Sequence, residues 1–124
     1  MTLIEAINRI DAIKPNSFSQ QEKVRWLSTL DGIIKKEIID THEGGENVTF
    51  NGYNDNTLLT TELIVPAPYD DVYIRYLEMQ INYAMGEYNK YNNTTLVYNN
   101  AYSAFERFYN REHAPISRKQ RFHF

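Results

Sequence analysis

Residues 65–93 read VPAPYDDVYIRYLEMQINYAMGEYNKYNN and hold six of the chain's ten tyrosines. The two prolines break regular structure, and the acids Asp70 and Asp71 then suit the positive end of a helix. Capping explains this acidic pair better than a cation site does. The apolar spacing predicts one helix from about Asp70 to Asn92, roughly 34 Å at 1.5 Å per residue. At about 100° per residue, Ile74, Leu77, Ile81, Ala84, Met85 and Tyr88 share a face, with Tyr73 and Tyr91 beside it. Val72, Tyr76, Met79 and Tyr83 form a second stripe on nearly the opposite side. A helix with two apolar sides has two readings. Either it lies in the middle of its own domain, with the first two helices on one side and the last on the other. Or its second stripe meets another subunit, for which tyrosine and methionine are well suited.

Upstream, Thr2 and Glu5 have the form of a capping box, and Leu3, Ile7, Ile10 and Ile13 repeat at helical spacing. This predicts a first helix over about 2–13, stopped by Pro15. Ser19 and Glu22 open a second helix, about 19–41, with Val24, Leu27, Leu30, Ile34 and Ile38 on one face and Gly44-Gly45 at its end. Trp26 and Ile33 share a flank of that helix and carry the same core-or-interface ambiguity. Residues 43–68 are rich in Gly and Asn, with Asn51-Gly52 as a turn signal and TTELIV as a short extended piece. So long a connection implies a small hairpin or an extended arm. Asn93-Thr94 then caps a fourth helix, about 94–112, with Tyr98, Ala101, Tyr102, Phe105, Phe108 and Tyr109 on its apolar side. The expected architecture is all-α: a four-helix bundle over 1–112, with an arm at about 43–68 and an extended tail over 113–124.

The chain has 124 residues, a net charge of −3 and no cysteine. That length bounds one modest core. The charge offers no global basic field for nucleic acid, and disulfides and thiolate metal sites are excluded. The acidic Glu5 and Asp11 do not suit a signal peptide, and no apolar run approaches the length of a membrane span. The expectation is a protein made and used without crossing a membrane.

No residue pattern points to catalysis. His42, His113 and His123 lie far apart and in no metal-ligand spacing, so solvated histidines or histidines at helix ends are expected. The Gly-rich stretch lacks the lysine of a phosphate loop, and no nucleophile elbow is present. We expect no catalytic residue, metal or cofactor. The one local charge signal is the end of the chain, where Arg118, Lys119 and Arg121 stand with the aromatic rings of Phe122 and Phe124. This composition fits a partner-binding tail, with rings as anchors and basic groups on acidic ones.

The same quoted run, together with NNAYSAFERFYNREHAP at 99–115, resembles small proteins encoded in the structural gene clusters of tailed bacteriophages and prophages of low-GC Gram-positive bacteria. GYN at 52–54, TELIVPAPYDD at 61–71 and INRIDAIKPNSFSQQEKVRWLSTLDGII at 7–34 add to the likeness. The resemblance implies a head–tail connector (adaptor) of the virion neck: a non-enzymatic helical subunit assembling as a ring beneath the portal protein. Its implied partners are further copies, the portal and other neck or tail proteins. DNA would pass through the lumen without sequence-specific binding. It also implies the head–tail interface of the virion as location, and the host cytoplasm before assembly. With that reading, Tyr76, Met79, Tyr83, Trp26 and Ile33 are the candidate subunit contacts. The competing expectation is a small DNA-binding or regulatory module of a mobile element, using Arg107, Arg111 and the basic tail.

Overall fold

The computed structural model describes residues 1–116. Four α-helices are present among the described residues: α1 (Leu3–Ile13), α2 (Gln20–Glu37), α3 (Asp71–Ala84) and α4 (Tyr88–Glu112). Two short 3₁₀ turns, Ile39–Thr41 and Gly45–Asn47, come after α2. No helix among the described residues is long and apolar enough to cross a membrane.

The start of α1 shows how local chemistry fixes the arm. An α-helix leaves its first four N–H groups without intrahelical partners. Here two of the four close the capping box, Glu5 N–H donating to the Thr2 hydroxyl and Thr2 N–H to the Glu5 carboxylate. The remaining two go to the arm: Leu3 N–H to Thr61 O and Ile4 N–H to Leu59 O, both at 3.0 Å. Leu63 N–H donates in turn to Met1 O at 2.9 Å. The arm therefore does not fold back on itself as a hairpin. Its extended piece spends its hydrogen bonds on the start of α1, leaving an isolated bridge between Thr2 and Glu62 instead of a strand.

Helix α3 is the centre of the molecule. Leu77, Ile74, Ile81 and Tyr73 are all essentially buried, as are Leu3, Ala6, Ile7 and Ile10 of α1 and Leu27, Leu30 and Ile34 of α2. Together with Leu63 and Val65 of the arm they make one core. Helix α4 covers the other side of α3. Helix α3 thus touches all three other helices, and α4 most extensively. Ile13, expected on the first helix's apolar face, is exposed.

The expected single helix over 70–92 is two helices. It reverses at Met85-Gly86-Glu87, where Gly86 takes φ +73°. Gly86 N–H bonds to Tyr83 O at 3.0 Å and Glu87 N–H to Asn82 O at 2.9 Å. These are the two bonds of a Schellman motif, which needs a left-handed residue that glycine adopts without a Cβ penalty. Glu87 then reaches Lys90 at 2.9 Å and Lys14, just past α1, at 3.3 Å, tying the turn to the end of α1. The new helix starts at Tyr88, so Thr94 is not its cap. Its hydroxyl donates back to Lys90 O and Tyr91 O inside α4. Asp70 precedes α3 as expected, but its carboxylate makes no capping bond. Helix α2 stops at Glu37, four residues earlier than expected. The chain continues through the two 3₁₀ turns, and a Cβ on Gly45 would lie only 2.4 Å from Ile39 O.

Candidate functional site

The hairpin of α3 and α4 places the tyrosines. Antiparallel helices bring together residues equally far from the turn. Tyr83 meets Tyr91 at a ring-centroid distance of 5.1 Å, Tyr76 meets Tyr98 at 5.3 Å, and Tyr69 meets Phe105 at 6.3 Å. Each step is seven residues, two helical turns, on both sides. The result is an aromatic ladder between the helices, extended by Tyr98 against Tyr102 and by Tyr69 stacked on Phe108 at 4.7 Å. Tilted and edge contacts at these distances are the favoured geometry for aromatic pairs.

The ladder assigns the second stripe. Tyr76 and Met79 are 6% and 8% exposed, with Tyr76 beneath Tyr98 of the same chain. Both were candidate subunit contacts; within this chain they are buried, Tyr76 where α4 folds back over it. Tyr83 differs: it is 57% exposed at the turn, with its edge toward Tyr88 at 6.0 Å. Ala84, Met85 and Tyr88, expected in the core stripe, are exposed for the same reason. They stand around the reversal, Ala84 ending α3 and Tyr88 beginning α4. Leu96 and Val97 add exposed aliphatic groups to α4. Trp26 is half-buried and packs edge-on to Phe18 at 5.4 Å; Ile33 is also half-buried. Neither joins the tyrosine ladder. Arg118, Lys119, Arg121, Phe122 and Phe124 lie outside the described residues.

A buried polar cluster lies on the other side of α3. Asp31 of α2 is wholly buried. Its two carboxylate oxygens accept from Tyr73 and Tyr53 hydroxyls, each at 2.6 Å, and from Ile64 N–H at 3.1 Å. Tyr73 hydroxyl also accepts from Val65 N–H at 2.7 Å. One carboxylate thus clasps α2, the arm and α3 together. Burial pushes the Asp31 carboxyl above the usual carboxylate range, and the three donors pull it back. Burial and the neighbouring Asp31 charge push both tyrosine hydroxyls up. With Asp31 itself wholly buried and its oxygens filled by donors, the cluster orders the fold. A visible signal existed in the sequence: Asp31 falls inside the Leu27, Leu30, Ile34 stripe, where an acid needs a specific partner.

His113 stands at the end of α4 as expected, His123 lies outside the described residues, and His42 is not solvated. His42 is buried, with Nδ1 2.6 Å from Ile38 O and Nε2 2.6 Å from Asn110 Oδ1. It packs edge-on to Tyr109 at 4.9 Å, and His113 stacks on the same ring at 3.9 Å. Two histidines distant in sequence thus share one tyrosine. Among the described residues, no group of three His, Cys, Asp or Glu side chains could hold a metal ion.

No protein-family model matches this sequence, and comparison with curated proteins and with solved structures finds no match.

Proposed function

We propose that this chain is a structural subunit of a bacteriophage neck, one copy of a ring that joins the portal to the tail. The observation that carries the reading is the apolar surface left on the α3–α4 hairpin. Tyr83, Met85 and Tyr88 stand exposed around the turn, and Leu96 and Val97 two turns further along α4. Aromatic and methionine side chains with few charges among them describe the centre of a protein–protein interface. The resemblance to neck proteins, which covers most of residues 15–115, supplies the kind of assembly. With Tyr76 and Met79 inside, the subunit contact falls to Tyr83, Met85 and Tyr88. The partners in this reading are further copies, the portal and adjoining neck or tail proteins, with DNA passing through without sequence-specific contact. The role needs no catalysis and no cofactor. Its place is the head–tail interface of the virion, reached from the host cytoplasm.

Mass measurement and electron microscopy of the purified chain, with and without a neighbouring portal, test this. Rings or a portal complex are expected. A chain that stays monomeric and ignores the portal sinks the reading. A second reading, a DNA-binding module, draws on Arg107 and Arg111, both exposed and four residues apart on α4. A salt-dependent, sequence-selective DNA shift is the result that would favour it.

A further inference from the structure

The turn signal Asn51-Gly52 builds no hairpin, and both residues are exposed and lie outside any helix or strand. Their neighbours are fixed. The Phe50 ring meets the Tyr53 ring edge-on at 5.0 Å, and it lies 3.7 Å from where a Cβ on Gly32 of α2 would be. Tyr53 N–H donates to Ser28 Oγ at 2.9 Å, and the Tyr53 hydroxyl donates to the buried Asp31 at 2.6 Å. Asn51-Gly52 is thus a short solvent-facing link between two rings held on α2.

An asparagine side chain is an amide electrophile, and the backbone nitrogen of the next residue is a nucleophile within its reach. Attack closes a five-membered ring. A side chain on the next residue hinders the approach, and glycine has none. Of the chain's asparagines, Asn51 alone precedes a glycine. Among the described residues, neither the Asn51 side chain nor the Gly52 N–H makes a hydrogen bond, so ring closure has none to break. The other loop asparagines differ. Asn16 is held through both ends of its amide, and the Asn54 side-chain oxygen accepts from Asn56 N–H. Asn47 and Asn56 precede the β-branched Val48 and Thr57. The remaining asparagines lie in the helical backbone of α1, α3 and α4.

We infer that Asn51-Gly52 is a modification site, where the folded chain converts Asn51 to aspartate and isoaspartate without an enzyme. The Gly52 nitrogen gives its proton to solvent and bonds to Asn51 Cγ. The Cγ–Nδ2 bond breaks, and the nitrogen leaves as ammonia with a proton from solvent. Water then opens the ring. Opening at Cγ gives aspartate. Opening at the main-chain carbonyl gives isoaspartate, with the side-chain methylene now in the main chain. Water enters, ammonia leaves, and nothing is oxidised or reduced. Each product adds one negative charge to a chain of net charge −3. Isoaspartate also lengthens the link between Phe50 and Tyr53, so the hold of Tyr53 on Ser28 and Asp31 slackens. A change at the surface thereby reaches the buried cluster. The inference does not rest on the ring reading.

The full-length chain, incubated at mildly alkaline pH, should release ammonia and gain an acidic species on ion exchange. Peptide mapping by mass spectrometry, with a methyltransferase specific for isoaspartate as the label, locates the change. It should fall at Asn51 at least about tenfold faster than at any other asparagine, because only there is the attacking residue without a Cβ. Asn51→Gln should remove the early acidic species. An intact Asn51, or another asparagine reacting first, would overturn the inference. Hydrogen exchange tests the reach to the cluster. The isoaspartate form should lose protection at Tyr53 N–H by about tenfold relative to Asn51→Asp, which carries the charge without the added methylene. Equal protection in the two would overturn the link between the surface change and Asp31.

Discussion

The two sides of α3 are built from different materials. Toward α1 and α2 it presents Ile74, Leu77 and Ile81, essentially without exposure, against leucines and isoleucines. Toward α4 it presents tyrosines that meet other rings in tilted pairs, and α4 itself fully buries only Phe105 and nearly buries Tyr109. The aliphatic side is closed, with the Asp31 cluster as its buried polar exception. The aromatic side keeps hydroxyls at its margin, such as Tyr102 donating to Glu37 at 2.9 Å. The difference separates two jobs. The first side decides whether the chain folds, and the second decides how firmly α4 is held and what the hairpin shows to the outside.

The largest effects should come from the closed side. Leu77→Ala, at a site with no exposure, should cost about 3 kcal/mol in a denaturant melt, from lost transfer energy and a residual cavity. Asp31→Ala should cost about as much, because it strands two hydroxyls and the Ile64 N–H without an acceptor. A loss below about 1 kcal/mol would mean that water replaces the carboxylate, and that the closed side is not closed. The aromatic side should respond less. A double-mutant cycle on Tyr76→Ala and Tyr98→Ala should give a coupling of about 1 kcal/mol, the usual worth of one aromatic pair beyond its buried area. A coupling near zero would show that the ladder is adjacency without energy.

The two sides also differ in the sign of their pH response. Asp31 has its folded carboxyl value raised by burial, so folding holds its proton more tightly than the unfolded chain does. Its contribution to stability is present at low pH and is lost as pH rises through the folded value. Glu87 at the hairpin turn is the reverse: hydrogen bonds from Lys90 and Lys14 lower its value. Its contribution is present above the unfolded value and is lost as pH falls through the folded one. Carboxyl-carbon NMR titration should place Asp31 above the ordinary aspartate value of about 3.9 and Glu87 below the ordinary glutamate value of about 4.3. Tyr53→Phe should move Asp31 further up, since it removes a donor to the charged form. A downward move would mean that the tyrosine does not hold the carboxylate.

The aliphatic side was the more legible in the sequence. Its members repeat at helical spacing in α1, α2 and α3, and capping boxes mark where two of those helices begin. The centrality of α3 was one of two open readings of its second stripe. The hairpin was hidden because Met85, Tyr88 and Tyr91 continue the apolar period through the turn. A glycine inside such a pattern costs only about 1 kcal/mol, too little to force a break from local preference alone. What makes Gly86 a turn is the packing of α4 against α3, a long-range effect. Asp31 was hidden differently. Its partners lie 22, 33 and 42 residues away, and only their convergence explains an acid on an apolar stripe. Gly86→Ala tests the turn: it should cost about 1 kcal/mol for the left-handed conformation alone, since nothing lies within 4 Å of an added Cβ.

The smallest effect on folding is expected where the proposed function needs the most. Tyr83 lies on the same stripe as Tyr76, yet it is more than half exposed, because the turn lifts it beyond the cover of α4. Tyr83→Ala should change the melt by no more than about 0.5 kcal/mol, the usual range for a surface position. If the hairpin turn is the subunit contact, the same substitution should abolish or sharply weaken ring formation in a mass measurement. Tyr88→Ala should do likewise, since the two rings stand together. Loss of assembly with an unchanged melt would divide the original stripe by function: Tyr76 holds α4, and Tyr83 holds the neighbour. Unchanged assembly in both variants would remove the turn from the interface. The contact would then have to be sought at Leu96 and Val97, or on the half-buried flank of α2 that bears Trp26 and Ile33. A loss of both melt and assembly would mean that Tyr83 braces Tyr91 despite its exposure, and that the aromatic ladder runs unbroken to the turn.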